Sequence, residues 1–272
     1  GLLQALFKKH NKALPESIDS LKIHRQDHNI DVLCIVNDKY AVLIEDKTGT
    51  ANHSDQLVRY LDEVKSRALY EEKNILPIYF KTEVQGRYSD ILEAGYQLFL
   101  RPDILQVLNL YQGNNAILID YRSHLQKISM WEESYIVERL EKWYWYSWMG
   151  FYSRLQSEGI DCVDWGYVPN PRGGFLAFWW HFQGDDTCGQ YLQLEEDKLC
   201  FKIWVKNKEE RYSLRQKWSR VVMAENLDQK FGLDLNRPKR FGSGEYMTIC
   251  LVENYRQVSD NGLIDMNKTL EV

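Results

Sequence analysis

The pattern of apolar and polar positions is sharpest between residues 30 and 48, IDVLCIVNDKYAVLIEDKT. Residues 32–36 and 40–44 are apolar, largely β-branched runs of strand length. Asn37, Asp38 and Lys39 separate them, a cluster that favours a turn, so the stretch predicts a β-hairpin. With a three-residue loop Val36 faces Tyr40, and counting outward sets Asp31 opposite Glu45. Side chains alternate along a strand, so Lys47 shares the face of Glu45 while Asp46 points away.

The surrounding pattern predicts a helix over residues 2–9 and a first strand over 21–25. Residues 52–70 carry Leu57, Leu61, Val64 and Ala68 as one helical stripe, with Asn52 and Ser54 as candidate N-caps. Residues 75–82 read as a buried strand, 89–94 as a helix and 96–100 as a strand. Arg101-Pro102-Asp103 then opens a helix running to about residue 111. Residues 130–156 form a long helical pattern dense in aromatic side chains, expected to lie between packed layers. The stretch 159–174, with Pro169 and Pro171, is the expected boundary between a domain of residues 1–158 and an accessory region of residues 159–272. In that region strands at 175–183, 189–194, 198–206 and 246–252 and a helix over 209–226 predict an α+β unit.

The hairpin face with two acids and one amine suits phosphodiester hydrolysis. Two carboxylates can hold a divalent cation that activates water, and a lysine can orient that water or stabilise charge on the phosphorane. The alternative is an exposed strand end where acids and lysine merely pair. Two very apolar strands look buried on both faces, which favours the site. Gln56 and Tyr60 lie one turn apart beside the helical stripe, within reach of the strand ends.

These residues resemble the PD-(D/E)xK nuclease superfamily, with Asp31 as the first acid, Glu45-Asp46-Lys47 as the triplet, and Ile30 in place of the usual proline. Gln56 and Tyr60 are similar to the QxxxY motif of its RecB-like branch, and residues 24–110 resemble a bacterial family of that superfamily. The resemblance implies a restriction-endonuclease-like α/β fold with an αβββαβ core, which the predicted element order fits. It implies a metal-dependent nuclease with Asp31, Glu45, Lys47, Gln56 and Tyr60 as site residues. Mg²⁺ or Mn²⁺ would be held by Asp31, Glu45 and the backbone carbonyl of Asp46. Upstream, Glu16, His24 and His28 are weaker candidates for a further ligand.

The net charge of −5 gives no overall attraction to nucleic acid, so binding must use local basic clusters. Candidates are Lys202, Trp204 and Lys206 on one strand face, Arg211, Arg215, Lys217 and Arg220 on a helix, and Arg237, Lys239 and Arg240 in a loop. The expected partner is nucleic acid, DNA in preference to RNA, with a protein partner or second copy reached through the C-terminal region. An odd set of five cysteines without CxxC spacing, no apolar run of membrane length and no signal peptide lead to the expectation of a cytoplasmic protein with free thiols. Rival readings are a catalytically idle binding module that keeps the fold, and a defence-system nuclease that cuts only when a partner activates it.

Overall fold

The hairpin forms as its pattern dictates, in a computed structural model that describes residues 1–48, 55–159, 164–170, 173–225, 230 and 232–271. Strands β2 (Ile30–Val36) and β3 (Tyr40–Lys47) pair antiparallel with Val36 opposite Tyr40. Asn37 and Asp38 take positive φ, a conformation these short polar residues tolerate in tight turns. Asn37 also accepts hydrogen bonds from the backbone N–H groups of Asp19 and Ser20 and donates to the Ser17 carbonyl, fixing the turn against the preceding segment.

Two compact units divide the chain, Gly1–Ser129 and Met130–Val272. In the first, a five-stranded mixed sheet runs β1-β2-β3-β4-β5, with β1 (Leu21–Asp27), β4 (Ile75–Lys81) and β5 (Gln97–Leu100) completing it. β1, β2 and β3 are antiparallel, whereas β4 is parallel to β3 and β5 to β4. Those parallel joins need crossovers, supplied by α2 (Gln56–Ser66) and the short α3 (Ser89–Glu93). Leu33, Ile35, Ala41, Leu43 and Tyr79 bury one sheet face against Leu57 and Val64 of α2 and Ile91 of α3. Helices α1 (Leu2–Lys9) and α4 (Arg101–Asn109) are joined by a Lys9–Asp103 ion pair of 2.8 Å. This is the restriction-endonuclease-like α/β arrangement that the element order implied. The predicted N-caps Asn52 and Ser54 lie outside the described residues.

The long helical pattern resolves into two helices, α5 (Ala116–Val137) and α6 (Trp145–Ser157). No proline or glycine separates them. The break is held by side chains: Trp143 Nε1 donates to the Glu138 carbonyl at 3.1 Å, and Ser147 Oγ accepts from the Tyr144 N–H at 3.3 Å. Gly150 lets α6 press against α5, since a Cβ there would sit 1.9 Å from the Glu132 carbonyl oxygen. The stretch expected as a loop contains a strand, β6 (Asp164–Asn170), which sits at a sheet edge, where Pro169 is tolerated.

The second unit holds a six-stranded antiparallel sheet in the order β10-β11-β9-β8-β7-β6. Its remaining strands are β7 (Gly173–Gly184), β8 (Cys188–Glu195), β9 (Lys198–Val205), β10 (Leu235–Asn236) and β11 (Tyr246–Glu253). α7 (Arg211–Ala224) covers one face through Leu214, Trp218 and Val222 packed on Ile203, Val205 and Ile249. Cys34, Cys188, Cys200 and Cys250 are free thiols, and Cys162 lies outside the described residues. No helix among the described residues is long and apolar enough to cross a membrane.

Candidate active site

The hairpin register carries Asp31 and Glu45 to the end of the β2–β3 ladder, one residue beyond the Val32–Ile44 pair. Strand alternation is clean there: Glu45 is 1% exposed, Asp46 faces outward and Lys47 turns back in. Lys47 Nζ lies 2.6 Å from Glu45 Oε1. Asp31 is oriented from two sides, accepting the Asp46 backbone N–H at 2.9 Å on Oδ2 and Gln26 Nε2 at 3.1 Å on Oδ1.

Helix α2 supplies the next layer. Gln56 Nε2 donates to Glu45 Oε1 at 2.8 Å and to the Tyr60 hydroxyl at 3.0 Å, while Gln56 Oε1 accepts from Lys47 Nζ at 3.3 Å. The helix is tied down at both ends. The buried Tyr96 hydroxyl donates to the Leu57 carbonyl at 3.0 Å, and Arg67, just past the last turn, donates at 2.7 Å to Asp27 at the end of β1. His28 also meets Arg67 in that clamp, its Nδ1 3.0 Å from Nη2. The five sequence-predicted side chains Asp31, Glu45, Lys47, Gln56 and Tyr60 thus converge on one sheet face. Glu16 and His24 are exposed, and among the described residues neither bonds to this group.

Burial raises the Glu45 carboxyl above its ordinary range; the hydrogen-bonded Lys47 opposes that shift, and Asp31 adds to it. Glu45 Oε2 is buried and has no hydrogen-bond partner among the described residues. An orphaned carboxylate oxygen facing a second acid is what a divalent cation would satisfy, so the donor set fits one. Among the described residues no three His, Cys, Asp or Glu side chains gather into a metal-binding group. A cation here would therefore rest on two carboxylates, with the Asp46 side chain turned away and its other oxygens from backbone and water.

Two residues on β4 escaped the sequence reading. The parallel register sets Tyr79 beside Glu45 and Lys81 beside Lys47, both side chains nearly fully buried. Burial lowers the Lys81 ammonium below the usual lysine range, with Glu83 opposing and Lys47 reinforcing. The signal was available: Lys81 is next to last in the predicted strand 75–82, and a parallel neighbour aligns that end with the lysine of the hairpin.

Residues 3–145 match the family model of the PD-(D/E)XK nuclease superfamily. That stretch takes in the whole five-stranded sheet, wider than the segment 24–110 that carried the resemblance. No curated protein and no solved structure matches the chain. The match covers more than half of the 272 residues and frames the hairpin just described, so the chain belongs to the PD-(D/E)XK nuclease superfamily.

Proposed function

We propose that the first unit is a metal-dependent nuclease that hydrolyses phosphodiester bonds in nucleic acid, DNA before RNA, and that the second unit contacts substrate or a partner. The observation that carries the reading is the buried Glu45 Oε2 beside Asp31, unpartnered among the described residues. Asp31, Glu45 and the Asp46 carbonyl would hold Mg²⁺ or Mn²⁺. When bound, the cation supplies Lewis-acid stabilisation and lowers the pKa of water. Lys47 has three N–H donors, of which Glu45 and Gln56 take two, leaving the third to position water or a phosphate oxygen. Gln56 bridges Glu45, Lys47 and Tyr60, so α2 fixes the rotamers of the acid and the amine together. That bridge supports placing the chain in the RecB-like branch.

The test pairs two variants on circular, linear and single-stranded substrates with Mg²⁺ or Mn²⁺. Lys47→Ala is expected to lose about 10²- to 10³-fold or more in cleavage while keeping fold and cation affinity, since its role is in the reaction. Asp31→Ala is expected to lose cation affinity by calorimetry. Unchanged affinity in Asp31→Ala, or full activity in Lys47→Ala at saturating metal, would sink the assignment. A folded wild-type chain that binds metal and cuts nothing by itself would favour the idle module or the partner-activated nuclease.

A further inference from the structure

One face of the second unit's sheet carries a cavity of about 430 Å³ walled by the rings of Trp179, Phe182, Tyr191, Trp204 and Tyr246. The backbone is adapted to make it. Phe182 and Trp179 are three positions apart on β7 and would alternate to opposite faces, but a bulge between Trp180 and Gln183, with His181 at φ 57°, brings both to the cavity. The Phe182 and Tyr191 rings stack at 5.4 Å with planes 16° apart, and Trp204 tilts against both. Trp204 lies over β8 at Gly189, where a Cβ would fall 1.9 Å from the indole.

Polar groups are set among the rings. Gln193 is 4% exposed, and its Nε2 donates to Glu195 at 2.7 Å. That bond fixes the amide with Oε1 unpartnered among the described residues. The Tyr191 hydroxyl, on a side chain buried to 7% exposure, also has no partner among them. Lys202, 3.1 Å from Glu195, is the charged group on the wall. An alkyl chain would leave the Gln193 and Tyr191 atoms buried and unmet, and Lys202 disfavours the cationic ligands that aromatic cages otherwise take. A flat ring with donors and acceptors on its edge meets both conditions.

We infer that this cavity binds the base of an unpaired nucleotide, holding a single-stranded segment of substrate. The choice of nucleic acid over a free heterocycle rests on the nuclease reading above. The test uses the full-length wild-type chain in EDTA and fluorescence anisotropy with short labelled single strands of DNA and RNA. Matching strands carry abasic sites at their central positions. Phosphate charge is the same in each pair, so only base contacts differ. For at least one of the two nucleic acids, base-bearing strands are expected to bind about ten-fold more tightly than abasic ones. Phe182→Ala and Tyr246→Ala, both at ring positions already 46% and 64% exposed and so safe for folding, are expected to abolish that difference. Equal affinity of base-bearing and abasic strands of both kinds, or a difference that survives in both variants, overturns the inference. Cleavage of the same strands with Mg²⁺ is scored separately. Cleavage with base-independent binding removes the pocket and keeps the nuclease, whereas base-dependent binding without cleavage does the reverse.

Discussion

Among single residues, the acids of the first unit divide by what lies against them. Glu45 faces a lysine, a glutamine and another acid in a buried spot that raises its carboxyl. Asp27 faces the Arg67 guanidinium, which holds its carboxyl below the ordinary value of 3.8, with burial opposing and His28 assisting. A carboxylate lowered by folding adds stability above its unfolded pKa, and that stability is lost as pH falls through the folded value. Thermal melts of the wild type are therefore expected to drop as pH falls below about 4, and Asp27→Asn to flatten that limb while lowering the plateau at neutral pH. An acid limb unchanged in Asp27→Asn would show that the clamp on α2 carries no net stability. Because the clamp holds one end of the helix that presents Gln56, it supports the candidate site without touching it.

Between elements, the guanidinium of Arg215 is a structural tie. It sits on α7 at 4% exposure, donates to the Thr248 carbonyl of β11 and to the carbonyls of Gly242 and Arg240, and stacks 3.9 Å over the Phe241 ring. Arg215→Ala is expected to destabilise the second unit by about 3 kcal/mol, because those carbonyls lose a charged donor and the helix loses its link to the strand; denaturant titration measures it. A loss under about 0.5 kcal/mol would mean that water replaces the guanidinium at no cost. Sequence alone placed Arg215 on a phosphate-binding surface, since a charged residue in a basic helix reads as solvated until its burial is known. Arg211 is similarly occupied, by the carbonyls of Val205 and Lys206. The hairpin and the convergence of its five candidate residues were legible because period-two alternation and a local turn fix which side chains meet. The α5–α6 break was not legible, since helix-compatible residues run through it and a tryptophan packed from outside the helix takes the free carbonyl. Strand β6 was hidden by Pro169, which reads as a loop unless the strand is known to be an edge.

Over the whole molecule, the acidic balance leaves substrate affinity to local patches. With Arg211 and Arg215 engaged internally, the exposed basic residues of the loop, Arg237, Lys239 and Arg240, are the candidates for phosphate contact, on a backbone that Arg215 pins in place. Replacing all three with alanine is expected to weaken binding about equally for all sequences and to flatten the log-log salt dependence by about one unit for every phosphate no longer neutralised. Affinity and slope that do not move would assign the loop to a protein partner or a second copy. The two sheets also differ at their margins. The second sheet ends on one side in β6, where Pro169 has no N–H to offer a neighbour, and on the other in β10, only two residues long. Neither can template an incoming chain for more than a few residues. β1, at the margin of the first sheet, is seven residues long with Leu21 and Ile23 exposed at 45% and 60%. At the other margin of that sheet β5 is only four residues long, so among the described residues the fibril-nucleation hazard falls on β1, where Lys22 and Arg25 interrupt it as gatekeeping charges.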